Sequence, residues 1–263
     1  MRLSKYSANF YESVAERADL ASQSILSIFF SKFHSTSIKD IGCGNGIWLR
    51  ETLDKQYIKN RYGYDLASAL ESAEHLINKD IIFKEIDLES TSYDLIKTDL
   101  TLCLEVAEHI SMSAGLQLVK NICRTSIYVI FSAATPGQGG YNHINEKPFE
   151  YWVSLFESNG FVGFDLFRSK IQQDKRIPFF YRNNVFLFVD STELSRVQHL
   201  LTTDLMKQTK ISAQTQIKDY RTFVQIFKAL IISRLHFKVV NVLSIMNYRI
   251  NSIKMNFKTF DHK

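Results

Sequence analysis

Two hydrophobic periods alternate along this chain. Residues 8 to 33 carry Phe10, Val14, Ala18, Ala21, Ile25, Ile28 and Phe29 at helical spacing. Ser37–Ile41 then reads as a short buried strand, and a helix-like stretch follows residue 46. Ile58–Asp65 alternates as a strand, with a helix beginning at Leu66. Strands are expected again over Ile81–Ile86, Tyr93–Leu104 and the very apolar Ser126–Ser132, with a helix from about Ser111 to Cys123 between the last two. A helix over Phe149–Ser158 and final strands over Phe161–Phe167 and Asn184–Val189 complete the pattern. Strands alternating with helices give an α/β fold with a mostly parallel, doubly wound sheet. Ligands bind such sheets at the carboxyl ends of the strands.

The chain changes character after Val189. Residues 191–263 contain no Gly and no Pro and read as two or three helices. Apolar residues dominate between Phe223 and Met246, interrupted by Lys228, Arg234, His236 and Lys238, and Arg249, Lys254, Lys258 and Lys263 follow. Three parts are therefore expected: an N-terminal helical cap over 1–36, a binding domain over 37–190 and a basic helical extension over 191–263. The extension packs on its own domain or in a homodimer, lies on an anionic membrane surface, or recruits a partner enzyme such as a glycosyltransferase.

Composition changes this picture little. A length of 263 residues, 45% hydrophobic and 22% charged, suits one globular domain with an appendage. A net charge of +5 is too mild to imply nucleic acid, so no nucleic-acid partner is expected. Cys43, Cys103 and Cys123 form neither a disulfide framework nor a metal-binding C-x-x-C. A reducing, cytoplasmic setting follows, with the inner membrane surface as the alternative if the basic tail binds lipid. Met1–Tyr6 has no apolar run behind it and reads as no secretory signal. No stretch approaches the roughly 20 uncharged apolar residues of a spanning helix.

The candidate chemistry begins at Asp40-Ile41-Gly42-Cys43-Gly44-Asn45-Gly46. Glycines at a strand-to-helix turn let backbone N–H groups approach a ligand. A dinucleotide loop needs a third glycine at position 47, which is Ile47, and no Gly-Lys-Ser/Thr is present for a nucleotide-triphosphate loop. Asp65 closes the second strand, where a carboxylate can accept both hydroxyls of a ribose. Asp87 follows the third strand, and Glu105-Val106-Ala107-Glu108-His109-Ile110 follows the fourth.

This acid-x-G-x-G-x-G loop, with Asp65, Asp87 and the motif after the fourth strand, resembles class I S-adenosylmethionine (SAM) dependent methyltransferases over residues 38–189. The resemblance implies a Rossmann-like seven-stranded sheet ending in an antiparallel hairpin. It also implies a loop wrapped around the methionine part of SAM, with Asp40 near its amino end and Asp87 and its neighbouring amide reading the adenine. On that basis Asp40, Gly42, Cys43, Gly44, Gly46, Asp65, Leu66, Asp87, Leu88 and Leu104 would surround the cofactor. The run 133–160, with His-x-Asn-x-x-Pro and Tyr-Trp, resembles bacterial enzymes that modify surface glycans or small molecules.

The spacing E-x-x-E-H is expected to place Glu105, Glu108 and His109 on one helical face. His143 approaches from the Gly-rich connection 133–148, which holds two of the three prolines and three of the ten glycines and reads as a mobile lid. The motif resembles that of metal-dependent O-methyltransferases, which implies Mg²⁺ or Mn²⁺ held by Glu105, Glu108, His109 and His143. Without a metal, His109 or His143 would act as general base with Glu105 beside it, or the motif would only cap and pack. The expected activity is O-methylation of a small molecule, with a sugar or surface polysaccharide preferred. A phosphate-type oxygen or amine acceptor, and a catalytically silent scaffold acting through its C-terminal helices, are the alternatives.

Overall fold

A computed structural model describes residues 8–76, 80–90, 92–195, 209–214, 217 and 219–221. Most of the region assigned to the basic C-terminal helices, including all of 222–263, lies outside the described residues. The order is α1 (Ala8–Phe30), β1 (Ser37–Ile41), α2 (Ile47–Arg50), β2 (Asn60–Asp65), α3 (Ala67–Leu70), β3 (Ile82–Glu85) and β4 (Thr98–Leu104). There follow α4 (Met112–Arg124), β5 (Ser126–Ser132), α5 (Phe149–Ser158), β6 (Phe161–Phe164), α6 (Arg168–Ile171), α7 (Phe179–Asn184), β7 (Phe186–Asp190) and β8 (Lys210–Ile211).

The strands form one sheet in the order β3-β2-β1-β4-β5-β7-β6-β8. The first five are parallel, and β7, β6 and β8 pair antiparallel. The doubly wound sheet and its antiparallel end are as expected, with eight strands rather than seven because Lys210–Ile211 adds an edge beside β6. The order reverses between β1 and β4, the switch point at whose carboxyl ends doubly wound sheets bind ligands.

Each face of the sheet is covered because its crossover helices carry apolar stripes. On one face, Ala18, Ala21, Ile25, Leu26 and Phe29 of α1 pack with Ile38, Trp48, Leu100 and Tyr128, joined by Tyr181 of α7. The described part of the N-terminal helix is thus a core element of the sheet. On the other face, α4 buries Leu118, Val119 and Ile122, and α5 buries Trp152, Val153 and Phe156. Phe156 stacks on Phe188 with centroids 3.9 Å apart. Complete burial of each such side chain contributes about 1.5–3 kcal/mol. Ser111 caps α4 by accepting the Ala114 N–H at 3.3 Å.

Being central, β1 buries polar residues as well. Lys39 is fully enclosed and its Nζ donates to Thr98 Oγ1, the Thr125 carbonyl and Ser126 Oγ. Desolvation lowers its pKa to about 7. Among the described residues no helix is long and apolar enough to cross a membrane.

Candidate active site

The glycine loop departs from the carboxyl end of β1 with φ of +74°, +52° and +77° at Gly42, Gly44 and Gly46. All three lie in the left-handed region that residues with a Cβ rarely adopt. A Cβ at Gly42 would also collide with Val106, and one at Gly46 would lie 2.8 Å from Leu76 Cδ1. The loop is tied to the tip of β2: the N–H groups of Gly42 and Cys43 donate to the Tyr64 carbonyl at 2.7 and 3.1 Å. Asp65 Oδ2 accepts the Gly44 N–H at 2.8 Å, and Oδ1 accepts the Leu66 N–H at 2.7 Å.

Asp40 lies beneath this loop, 2% exposed, and its Oδ2 has no hydrogen-bond partner among the described residues. Burial, and secondarily the charge of Asp65, pushes its pKa up to about 8. Burial also raises Asp65, to about 6, against the opposing pull of the Gly44 and Leu66 N–H groups. A buried carboxylate without a donor is costly unless a ligand supplies one. An ammonium group would do so, and the amino end of SAM carries one. The residues therefore fit that cofactor.

Leu88 and Leu104 are buried, at the end of β3's connection and the end of β4. Cys43 is buried with its thiol pushed up by burial, and its backbone N–H and carbonyl are bonded to Tyr64 and Gly46. Asp87 is exposed and accepts the Glu89 N–H at 2.9 Å.

After β4 the backbone turns at Glu105, a non-glycine residue at φ +56°. Such a conformation costs on the order of 1–3 kcal/mol and persists only where neighbours enforce it. Here the Glu105 N–H donates to the Ser132 carbonyl and hydroxyl. Ala107–His109 is then a single 3₁₀ turn, so Glu105, Glu108 and His109 do not share the helical face that the spacing suggested. The left-handed residue sends Glu105 in a different direction. Its carboxylate accepts Gln138 Nε2 at 3.2 Å and Asn184 Nδ2 at 3.3 Å.

Glu108, His109 and His143 do converge: one ligand-type atom from each lies within 4.8 Å of the others. Glu108 is completely buried and neither carboxylate oxygen completes a hydrogen bond among the described residues, although the Glu108 and Ala134 amides lie close enough to ease its charge. Burial first, and Glu105 second, raises its pKa well above the ordinary range. Burial likewise raises Glu105, against the hydrogen bonds and His143 that favour its charged form. The rings of His109 and His143 meet edge to face, centroids 4.8 Å apart. A carboxylate with no hydrogen-bond partner among the described residues, beside two imidazoles, suits a divalent cation in its donor set.

The connection 133–148 is stitched down rather than loose. Glu146 accepts the N–H groups of Gly137 and Gly139 at 2.7 and 2.8 Å and pairs with His143 Nδ1 at 2.9 Å. The Ile144 and Asn145 N–H groups donate to the Glu108 carbonyl, and Asn145 Nδ2 donates to that of Ala107. A Cβ at Gly140 would meet the His143 ring, which would have to shift to admit it. Gln138, Glu146 and Asn184 are thus residues beside the site that the sequence motifs do not single out, whereas Asn145 belongs to the His-x-Asn-x-x-Pro motif. An acid three positions after His143 was a usable signal for Glu146. Asn184 carried none, since it arrives from α7 across the sheet.

Comparison with known proteins agrees with this geometry. Residues 39–127 match the family described as a methyltransferase domain. Among curated proteins none matches. The fold is similar to that of human N-acetylserotonin methyltransferase in complex with SAM, at 18% identity and TM-score 0.51 over 70% of this chain and 55% of that one. An O-methyltransferase family protein of Burkholderia thailandensis aligns at 11% identity and TM-score 0.54, over 69% of this chain and 58% of that one. A candidate O-methyltransferase of Nostoc punctiforme aligns at 14% identity and TM-score 0.54, over 69% and 59%. The chain spans little more than half the length of these structures. Its fold is the methyltransferase fold, and the matched domain holds the glycine loop, Asp65, Asp87 and Glu105–His109.

Proposed function

We propose that this chain, which carries a methyltransferase domain on the SAM-methyltransferase fold, transfers the methyl group of SAM to a hydroxyl of a small molecule, with a sugar or surface-polysaccharide unit preferred. The observation that carries the reading is two buried carboxylates with oxygens unsatisfied among the described residues, one in β1 and one just past β4. Asp40, with an unpartnered oxygen under the glycine loop, suits the amino end of SAM. Glu108, with two unpartnered oxygens beside His109 and His143, suits the activation of an acceptor.

SAM supplies an activated methyl group, so the protein's task is alignment and removal of the acceptor proton. Asp65 holds the loop through Gly44 and, in this reading, would also receive ribose hydroxyls. Leu88 and Leu104 offer apolar walls for an adenine ring. An alkyl hydroxyl is a poor nucleophile at neutral pH, and a Mg²⁺ or Mn²⁺ ion would lower its pKa. Glu108, His109 and His143 would hold that ion, while Glu105 stands in the adjoining amide clamp and would have to exchange its partners to join them.

A second reading rests on the His143–Glu146 pair. A carboxylate on Nδ1 orients the ring, so His143 would take the acceptor proton without a metal. Calorimetric titration with Mn²⁺, followed by methylation assays on hydroxylated acceptors with and without EDTA, separates the two. The metal reading expects Mn²⁺ binding that Glu108→Gln abolishes, and activity lost in EDTA. Full activity in EDTA leaves the histidine base, and no methyl transfer to any hydroxyl acceptor overturns both.

A further inference from the structure

The amide clamp on Glu105 belongs to a longer chain of hydrogen bonds that all point one way. The Tyr220 N–H donates to Asn183 Oδ1 at 2.8 Å, and Asn183 Nδ2 donates to Asn184 Oδ1 at 3.1 Å. Asn184 Nδ2 donates to Gln138 Oε1 at 2.9 Å and to Glu105 Oε1 at 3.3 Å, and Gln138 Nε2 donates to Glu105 Oε2 at 3.2 Å. Each amide accepts from the C-terminal side and donates toward Glu105. A carboxylate is the natural end of such a chain, because in its charged form it only accepts. Networks polarised in one direction strengthen each bond in turn.

The chain is anchored at both flanks. Asn183 and Asn184 are almost wholly buried at the end of α7, where β7 begins beside the carboxyl end of β5. The Asn183 carbonyl accepts Arg168 Nη1 at 2.8 Å, and the buried Arg168 guanidinium forks onto Asp165. That guanidinium lies against the rings of Phe186, Phe149 and Tyr220, at 4.4, 5.2 and 5.2 Å. Arg221, held on Asp219, donates Nη1 to the Pro136 carbonyl at 3.0 Å, so the same short segment also grips the start of the 133–148 connection.

We propose that Asn184 is a positioning residue that fixes Glu105 and Gln138 at the acceptor side, and that residues 219–221 form a strap which sets it and holds the connection at Pro136. The strap makes the C-terminal extension part of the working site. The roles of Glu105 and Gln138 rest on the methyltransferase reading above, but the strap itself is tested without an acceptor.

The experiment is hydrogen–deuterium exchange on the full chain, with S-adenosylhomocysteine affinity measured in parallel. Arg221→Ala and Asn184→Ala are expected to speed amide exchange over 135–147 by about three- to tenfold, the amount one or two lost hydrogen bonds carry. Exchange in β1, β4 and α4 and the affinity for S-adenosylhomocysteine should stay at wild-type values, and Arg221→Lys should restore protection. A merely structural residue would instead raise exchange throughout the domain. Should Asn184→Ala fail to fold, Arg221→Ala decides the matter alone. Unchanged exchange over 135–147, or a uniform rise everywhere, overturns the strap. Absence of S-adenosylhomocysteine binding in the wild type overturns the methyltransferase reading instead.

Discussion

Asp40 offers the sharpest test of how the cofactor is held. The residue is 2% exposed, its Oδ2 lacks a partner among the described residues, and its pKa is pushed up to about 8 by burial and by Asp65. At pH 7 the free protein therefore carries Asp40 mostly protonated. An ammonium group arriving at Oδ2 favours the charged form, so binding must release that proton. The free-state pKa is the raised one, and affinity consequently rises with pH to about 8, above which the amino group of SAM, with an ordinary α-amino pKa of roughly 8, loses the proton the site needs. Between pH 6 and 8 the gain is about 20-fold, or about 2 kcal/mol. Asp65, raised to about 6, titrates at the lower edge of this window and adds little. The stability of the unliganded protein runs the other way. The folded state holds the proton between about pH 4 and 8 where the unfolded chain does not, so Asp40 costs stability as pH rises through that window. Titration calorimetry with SAM in Tris and in phosphate reads the proton directly, as a buffer-dependent heat of about 0.9 proton per site at pH 7. Asp40→Asn should bind more weakly, release no proton and show a flat pH profile. Wild-type affinity independent of pH, with no proton release, would refute the role given to Asp40.

Gly42→Ala places a methyl group against Val106 at φ +74°, and should cost about 1–3 kcal/mol in thermal unfolding and abolish S-adenosylhomocysteine binding. A variant that binds normally would show that the loop does not need this turn. Lys39, lowered to about 7 by burial, is protonated in the unfolded chain up to its ordinary pKa, so it makes stability rise by about 2 kcal/mol between pH 7 and 9. Denaturant unfolding of Lys39→Met should lose that slope, and an unchanged slope would refute the assignment. Glu146→Gln removes the carboxylate that orients His143 and pins Gly137 and Gly139. Its Mn²⁺ affinity should fall about 10- to 100-fold, as for other partners of ligating histidines; wild-type affinity would detach Glu146 from the site.

What the chain discloses before folding depends on how local the cause is. β5 and α5 could be bounded from the sequence because a continuous apolar run and a Pro-started amphipathic stretch are local signals. The glycine turn was equally legible, since left-handed φ values need glycine whatever surrounds them. The short helices α6 and α7 were not visible. Phe179-Phe180-Tyr181-Arg182-Asn183-Asn184 has no amphipathic period, and it is ordered by burial among the sheet's residues and by Arg182 bonding to carbonyls at 172 and 177. β8 has two residues and exists only because β6 offers an edge. The E-x-x-E-H motif shows the boundary most clearly. Its residues were legible, but their directions depend on a left-handed Glu105 that Ser132, a strand away, holds in place.

The central claim is that the crevice above β1, β2 and β4 is a SAM site. Calorimetric titration of the full chain with S-adenosylhomocysteine tests it most directly. One site per chain is predicted, weakened strongly by Asp65→Ala, which frees the Gly44 N–H and removes the proposed ribose acceptor. No detectable heat with either SAM or S-adenosylhomocysteine, on a folded sample, would contradict the account.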